Sequence, residues 1–437
     1  MKKTGILIIS LIMLSAQIGL AETYNIHSYL SLVKKHSKNL KLAAEEKKIA
    51  KVNKKAAIST ALPQIGFEAG YTRNITDYYM YFDMSAFQPG ATGVAKAPVK
   101  RDNEYTAAVA LNQTLFSPAV GNAIKAANQY KKLTDFIYEA NEQAIITSAK
   151  KMYYSTLLLE KFWQVSEAAE ENAKENYEHM KLKYENGVIS ELELLQADVR
   201  WKEAIPATAG AKRNYELSLN NLKNWAGIPV REHISLTGNF ESYPAIPHEL
   251  SFDGVLQLRP DFNALLWEEK LRKTNVSAKK NTYLPTLTGS VAYSYSAQSD
   301  KYQLDEENKL LFAGVKLSMP IFTGGYLRSE VQKAQIELTK TRIKIDQSKE
   351  NMYNDMSNVY LMLKEAHQRI TSAQATLNIA EKAFTIAENT ARSGLTTQLQ
   401  LKDTRVQFDQ AKMNYYAATY DYLTAYFEWE HVTGQVK

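Results

Sequence analysis

Glycine and proline are missing from residues 122–186 and again from residues 326–393, tracts of 65 and 68 residues. Both are rich in Ala, Glu, Lys, Gln and Leu. Such tracts predict uninterrupted helices, each about 100 Å long at 1.5 Å per residue. Apolar residues recur at spacings of three and four, as in Leu133, Phe136, Ala140 and Ala144 and then Met152, Leu159 and Phe162. That spacing predicts a packing stripe of coiled-coil type. Gly187 and Gly394 close the two tracts, where glycine permits a tight turn. A returning helix of about 36 residues follows each turn, ending near Gly227 and Gly434. Shorter leading helices are expected over roughly His27–Ser59 and Pro260–Thr282. Pro260 suits a first helical position, with Asp261 at the positive end of the dipole. Pro206, inside the first returning helix, predicts a kink that its counterpart Met413 would not produce.

The chain is written twice. "NGVISELELLQADVRW", residues 186–201, matches "SGLTTQLQLKDTRVQF", residues 393–408, at an offset of 207, and the match continues to Gly227 and Gly434. Pro63 matches Pro285 at an offset of 222, in a stretch running from Asn39/Asp261 to Tyr71/Tyr293. "LNQTLFSP", residues 111–118, matches "LSMPIFTG", residues 317–324, at an offset of 206. The offset falls by 16 because the first copy has the longer loop, residues 74–104. The expected organisation is a first repeat over 22–232, a linker over 233–249 and a second repeat over 250–437.

Each repeat also contains alternating segments. Ile65, Phe67, Ala69 and Tyr71 alternate with Gln64, Gly66, Glu68 and Gly70, and Leu287, Gly289, Val291 and Tyr293 with Thr286, Thr288, Ser290 and Ala292. Tyr105, Ala107, Val109 and Leu111, and Leu311, Ala313, Val315 and Leu317, repeat the pattern. Strands are therefore expected at about 64–73, 105–116, 286–296 and 309–322. One apolar and one small or polar face over about 10 residues suits a membrane β-barrel. Four strands cannot close a barrel, and their edges would be unsatisfied in lipid. The barrel must be shared, and three chains would give twelve strands. Tyrosines near the strand ends, including Tyr71, Tyr78, Tyr79, Tyr81, Tyr105, Tyr293, Tyr295 and Tyr302, suit an interfacial girdle.

The start of the chain fixes the compartment. Met1-Lys2-Lys3, an apolar core and Gly19 and Ala21 at the −3 and −1 positions read as a secretory signal peptide, residues 1–21. The apolar stretch is shorter than the ~20 residues of a spanning helix, and no later run reaches that length. Cysteine is absent, which excludes disulfides, thiolate metal sites, a cysteine nucleophile and a lipid-modified N-terminal cysteine. A net charge of +6 over this length is too mild to argue for nucleic acid.

In these residues the chain resembles the TolC-like outer-membrane channels of efflux pumps and type I secretion. "LRPDFNALLWEEKLRKTNVSAKKNTYLPTLTGSVAYS" resembles the family's leading helix and strand, and "MPIFTGG" (Met319–Gly325) its strand-to-helix junction. The two glycine turns resemble its periplasmic tips. In the first copy "LFSPAVGN" stands where the second has a double glycine. The resemblance implies a mostly helical fold with membrane β-structure: a homotrimer with a twelve-stranded barrel in outer-membrane lipid and a helical tunnel in the periplasm. It implies a periplasmic adaptor and an inner-membrane transporter as partners, and an exit channel of a tripartite efflux pump as function. The family places acids six and nine residues beyond the second tip glycine, at the pore constriction. Gln400 and Asp403 stand there, with Glu193 and Gln196 at the corresponding first-copy positions. Asn186, Gly187, Val188, Ile189, Ser393, Gly394 and Leu395 are then the adaptor-contacting tips.

Three copies of an inward carboxylate would form a charged ring of the kind that selects and gates ions, although most helical acids lie on solvated faces. Lys47, Lys48, Lys51, Lys54 and Lys55 read as such a face. The seven histidines show no metal-ligand spacing, and HExxH, GxSxG and glycine-rich phosphate loops are absent. No enzyme, cofactor or metal is expected, and no nucleophile–base pair stands out for an outer-membrane hydrolase. An exit duct of type I protein secretion and a structural periplasmic coiled coil or adaptor remain as alternatives. An adaptor would show one helical hairpin, whereas two are written here.

Overall fold

The computed structural model describes residues 22–84, 90, 92–393 and 395–436. The expected signal peptide and the turn residue Gly394 lie outside the described residues. In chain order the elements are β1 (Glu22–Tyr24), α1 (Ile26–His36), α2 (Lys38–Ser59), β2 (Gln64–Arg73), β3 (Tyr79–Asp83), β4 (Val94–Pro98), β5 (Asn103–Phe116) and α3 (Pro118–Glu185). There follow α4 (Glu191–Ala226), β6 (Ile234–Leu236), α5 (Phe252–Leu258), α6 (Pro260–Asn281), β7 (Thr286–Ser299), β8 (Asn308–Ser318), α7 (Tyr326–Arg392) and α8 (Gln398–Val432). The long helices α3 and α7 have 68 and 67 residues. Pro118 opens α3 at its first position, where the missing N–H costs nothing. α4 is one helix through Pro206.

The leading helices differ from expectation. The first is split at Ser37, whose backbone is extended (ψ 119°) and whose hydroxyl accepts from Leu40 N at 3.4 Å. The second begins one helix earlier, at α5, and is split at Arg259 (ψ 116°), which Pro260 holds out of the helical region. Ser37 and Arg259 are equivalent at the offset of 222, so both copies break at the same place.

The chain divides into two units. One takes the described residues of Met1–Ala44, Ile137–Phe262 and Ser348–Lys437. It has two apolar cores. The first gathers Tyr29, Val33, Tyr153, Leu157, Leu222 and Phe240. Here β1 pairs parallel with β6, and the Tyr153 hydroxyl lies between the Tyr24 and Thr237 carbonyls, at 2.8 and 2.6 Å. The second core gathers Leu363 and Ile370 of α7 with Tyr422 and Trp429 of α8. The segment after β6 is laid on α8 by tyrosines: Tyr415 donates to Phe240 O (3.2 Å) and Tyr422 to Pro244 O (2.6 Å). Many of the tyrosines thus close this core, beyond those at the strands.

The other unit, Glu45–Phe136 with Asn263–Gln347, carries the sheet. Its strand order is β2-β5-β7-β8, antiparallel throughout. The register aligns Ile65, Leu111, Val291 and Ala313 in one row and Phe67, Val109, Tyr293 and Leu311 in the next row on that face. This apolar face is open: Phe67 is 68% and Leu311 70% exposed. The opposite face reads Gln64, Asn112, Ser290, Gly314 and Gly70, Thr106, Ser296, Asn308, with Leu310 and Phe312 as its large apolar members. The long loop of the first copy contains a hairpin, β3 on β4, with Asp83 opposite Val94.

Candidate channel site

The two helical turns at the far ends of α3 and α7 are built alike. Gly187 stands at φ +72°, and Val188 N donates to Lys183 O at 2.9 Å, the six-to-one bond of a Schellman turn. At the second turn Leu395 N donates to Thr390 O at 3.0 Å, the same bond at the offset of 207. A capping box then starts each returning helix. Ser190 Oγ accepts from Glu193 N (3.4 Å), and Glu193 Oε2 accepts from Ser190 N (2.9 Å). Thr397 and Gln400 repeat this at 3.3 Å both ways. Each hairpin is also closed by an aromatic stack, Tyr177 on Trp201 (5.3 Å) and Phe384 on Phe408 (5.6 Å), again equivalent positions. These are the dispersion and quadrupole contacts that let two thin helices hold together without a core. Arg405 adds its guanidinium 5.1 Å over Phe384 and bonds Asp409 at 2.8 Å. A cavity of about 430 Å³ opens among these helices, with Arg200, Glu203, Lys402, Arg405 and Asp409 in its walls.

At the other ends of α4 and α8 each helix stops on a glycine at φ +70°, Gly227 and Gly434. Each glycine sits against the break of its leading helix: a Cβ on Gly227 would meet His36 Cβ at 2.8 Å, and one on Gly434 would meet Leu258 O at 2.7 Å. Arg259, itself buried, donates to Val432 O (3.2 Å) and grips Asp261 (2.6 and 3.0 Å). Burial would raise the Asp261 carboxyl, but Arg259 outweighs it and holds the carboxyl below its usual range. Burial pushes the neighbouring His431 imidazole below its ordinary value, against the pull of Glu428.

In the sheet unit the loops after β2 and β7 are tied together. Arg101 takes Glu306 (2.5 Å) and Asp300 (3.0 Å), while the buried Asn103 amide donates to Ser299 O and Lys301 O. Tyr71 donates to Asn103 Oδ1, and its ring lies 5.2 Å from that of Tyr105, tilted by 37°.

The sequence profile of the outer membrane efflux protein family matches residues 29–227 and 253–435. The chain belongs to that family. As a member of the outer membrane efflux protein family it is 21% identical over 350 residues to the outer membrane protein TolC of Escherichia coli strain K12, covering 74% of this chain and 64% of the relative. It is 22% identical over 293 residues to the TolC of Salmonella enteritidis, covering 64% of this chain and 55% of the relative. The match thus spans less than two thirds of either relative. The fold is shared with the crystal structure of the Campylobacter jejuni CmeC outer membrane channel, at a TM-score of 0.78 and 18% identity over 94% of this chain and 86% of that one.

Within this efflux-family fold the candidate residues fall as follows. Gln400 and Asp403 are exposed on the first turns of α8, and Glu193 and Gln196 on those of α4. Glu193 and Gln400 are the third residues of their capping boxes. Asp403 makes no ion pair among the described residues. Val188 is 68% and Leu395 81% exposed, Asn186, Gly187 and Ser393 are exposed, and Ile189 is half-buried. Sequence reasoning missed the capping boxes, although Ser190-x-x-Glu193 and Thr397-x-x-Gln400 are their signature. It also missed the aromatic clamps, although Trp201 and Phe408 lie in the matched segments. No helix among the described residues is long and apolar enough to cross a membrane.

Proposed function

We propose that this chain is the outer-membrane exit channel of a tripartite efflux pump, assembled as a homotrimer with a shared twelve-stranded barrel and a periplasmic helical tunnel. The observation that carries this reading is the sheet. It has four amphipathic strands, an exposed apolar face and, among the described residues, two unpaired edges, β2 and β8. Water would not favour that face, and lipid would not tolerate those edges in one copy. Heptad-spaced isoleucines exposed on α7, Ile336 with Ile343 and Ile379 with Ile386, are further seams for neighbouring helices. Family membership supplies the outer membrane, and a transport duct rather than an enzyme is what such a scaffold provides. The two repeats, 22–232 and 250–437 joined by 233–249, have four helices each, and three copies of the chain would place six such repeats around the tunnel.

The exposed Val188 and Leu395 at the turns are the adaptor contacts, since apolar turn residues are poorly served by solvent. The inner-membrane transporter engages through that adaptor. Gly187→Asp abolishes export while leaving membrane insertion and oligomer level as in the parent, because only the tip is changed. Export and adaptor cross-linking that both survived Gly187→Asp would remove the docking role from the tips.

A further inference from the structure

Where the helices join the sheet, the two copies differ in charge. Residues 47–67 and 105–134 contain no acid and carry eight lysines. At the offsets of 222 and 206, the equivalent stretches of the second copy contain Glu269, Glu330 and Glu337. Those acids are all engaged. Glu330 takes Lys279 (2.6 Å), Glu337 takes Lys340 (3.0 Å), and Glu269 takes Lys273 (2.8 Å) and Arg342 (3.0 Å). Glu330 and Glu337 stand where the first copy has Ile124 and Lys131. In the first copy Lys47 and Lys48 find acids just outside the stretches, Asp135 (3.1 Å) and Glu45 (2.7 Å).

The remaining lysines divide in two. Lys51 and Lys55 are exposed, as a solvated helix face would have them. Lys54 is half-buried and enters the wall of a cavity of about 510 Å³ on α2, α3 and α6, within the sheet unit. Lys125, Lys131 and Lys132 of α3 line the same cavity, with Gln129 and Trp267. None of these four lysines makes an ion pair among the described residues. The buried Gln129 Oε1 has no hydrogen-bond partner among them either, and a glutamine amide can turn to offer its N–H groups. Gly121, in the first turn of α3, also lies in the wall, so the positive end of that helix adds to the field. Four ammonium groups around one space repel one another, and an anion among them makes its contact with each attractive. A cation or a neutral ligand would leave that repulsion standing.

We infer that this cavity is an anion site that takes a phosphate group, held by Lys54, Lys125, Lys131 and Lys132. Lysine binds phosphate as a point charge, and the several oxygens of one phosphate accept from more than one ammonium. The half-buried Trp267 offers an apolar wall to whatever carries the group. Lys54 stands five residues before the end of α2 and Lys125 seven residues after the start of α3, about 8 and 10 Å from the strands. That is close to the depth of a headgroup layer, whereas Lys132 lies about 20 Å away. A phospholipid headgroup and a soluble phosphate compound present the same chemistry to this cavity.

The test uses the mature chain in neutral detergent and two probes. Pyrophosphate is titrated by calorimetry without divalent metal. Retention of phosphatidylglycerol against phosphatidylcholine is read by native mass spectrometry after bilayer-disc reconstitution. The parent binds at least one probe. Lys125→Gln with Lys132→Gln weakens that binding roughly tenfold. Lys125→Arg with Lys132→Arg keeps it, and Lys279→Gln with Lys340→Gln, in the neutralised second copy, leaves it unchanged. Particle mass as in the parent shows that the variants fold and assemble. Pyrophosphate alone identifies a soluble ligand, phosphatidylglycerol alone a headgroup, and both the shared phosphate. The lipid arm rests on the shared-barrel reading and the pyrophosphate arm does not, so loss of the first alone leaves the site standing. Binding of neither probe, or equal weakening by the first-copy and second-copy glutamine variants, overturns the site.

Discussion

The two places where a returning helix meets its leading helix have one backbone and two chemistries. Gly227 and Gly434 both stand at φ +70°, and Ile228 N→Lys223 O (2.9 Å) has its equivalent in Gln435 N→Glu430 O (2.8 Å). Around the first seat stand Ser37, Asn39 and Asn224, all uncharged. Their counterparts at the second are Arg259, Asp261 and His431. The duplication has kept the turn and set Arg259, Asp261 and His431 where the first copy has three uncharged side chains. Backbone geometry is held because a left-handed residue against a close neighbour admits only glycine, whereas the polar groups around it need only be satisfied.

The largest effect that tests this comparison is a methyl group at each glycine. Gly434→Ala drives Cβ against the Leu258 carbonyl, which is backbone and cannot turn away. Gly227→Ala meets the His36 side chain, whose ring can swing although its Cβ at 2.8 Å cannot. With left-handed strain common to both, we expect losses of about 3 and about 2 kcal/mol, read by thermal unfolding in detergent. Equal losses would show that φ alone, and not the neighbour, sets the requirement.

A smaller effect distinguishes the surrounds by pH. Neutral His431 is favoured in the fold, so the unfolded chain takes up this proton first as pH falls. Its contribution is complete above about pH 6.5 and is lost as pH drops toward the folded value. Asp261 acts in the same direction at lower pH, its contribution being complete above about 3.9 and lost below. The groups around His431 are Glu428, Arg259, Asp261 and Lys151. Amide protection of residues 431–435 therefore falls between pH 7 and 5 by less than about 1.4 kcal/mol per unit, since His431 is only partly buried. Residues 224–228 stay level once intrinsic exchange is corrected. His431→Asn, which copies Asn224, flattens the second seat's profile; an unchanged slope would place the titration elsewhere.

The same contrast explains what the sequence made legible. The long helices were readable because nothing in 122–186 or 326–393 offers a reason to stop, and the strand pairs because alternation and offset agree. The break at Ser37 was not readable, since no glycine or proline marks it; only Pro260 does so, in the second copy. β1 and β6 are three residues each, held by the Tyr153 hydroxyl from a distant helix, a contact with no local signal. The phase of the helical stripe was also obscured. Leu133, Phe136, Ala140 and Met152 are half-buried, while Ile146, Ala149, Tyr153 and Leu157 are the buried members. Three-and-four spacing permits both phases when the helix has more than one partner.

The smallest effect concerns the acids of the two turns. Each turn carries one acid among its two candidate positions, at six residues past Gly187 and at nine past Gly394. The difference is not neutral in consequence. Position six is the capping residue, and Glu193 already accepts from Ser190 N at 2.9 Å, whereas Gln400 fills that post without charge. Position nine has no such duty, and the Asp403 carboxylate is exposed. Nine residues place it about 13 Å along the helix from the turn. Three such carboxylates around a pore would attract cations, divalent ones most strongly, because attraction scales with the product of charges. In planar bilayers Asp403→Asn should lower cation preference and divalent block a few-fold at unchanged stability. Glu193→Gln keeps the capping acceptor and should change both less, while Glu193→Ala should also cost about 1 kcal/mol at the start of α4 through the lost cap. An Asp403→Asn channel with the parent's selectivity and block would return Asp403 to a solvated outer face. A larger change at Glu193→Gln than at Asp403→Asn would show that a capping carboxylate can still govern the pore.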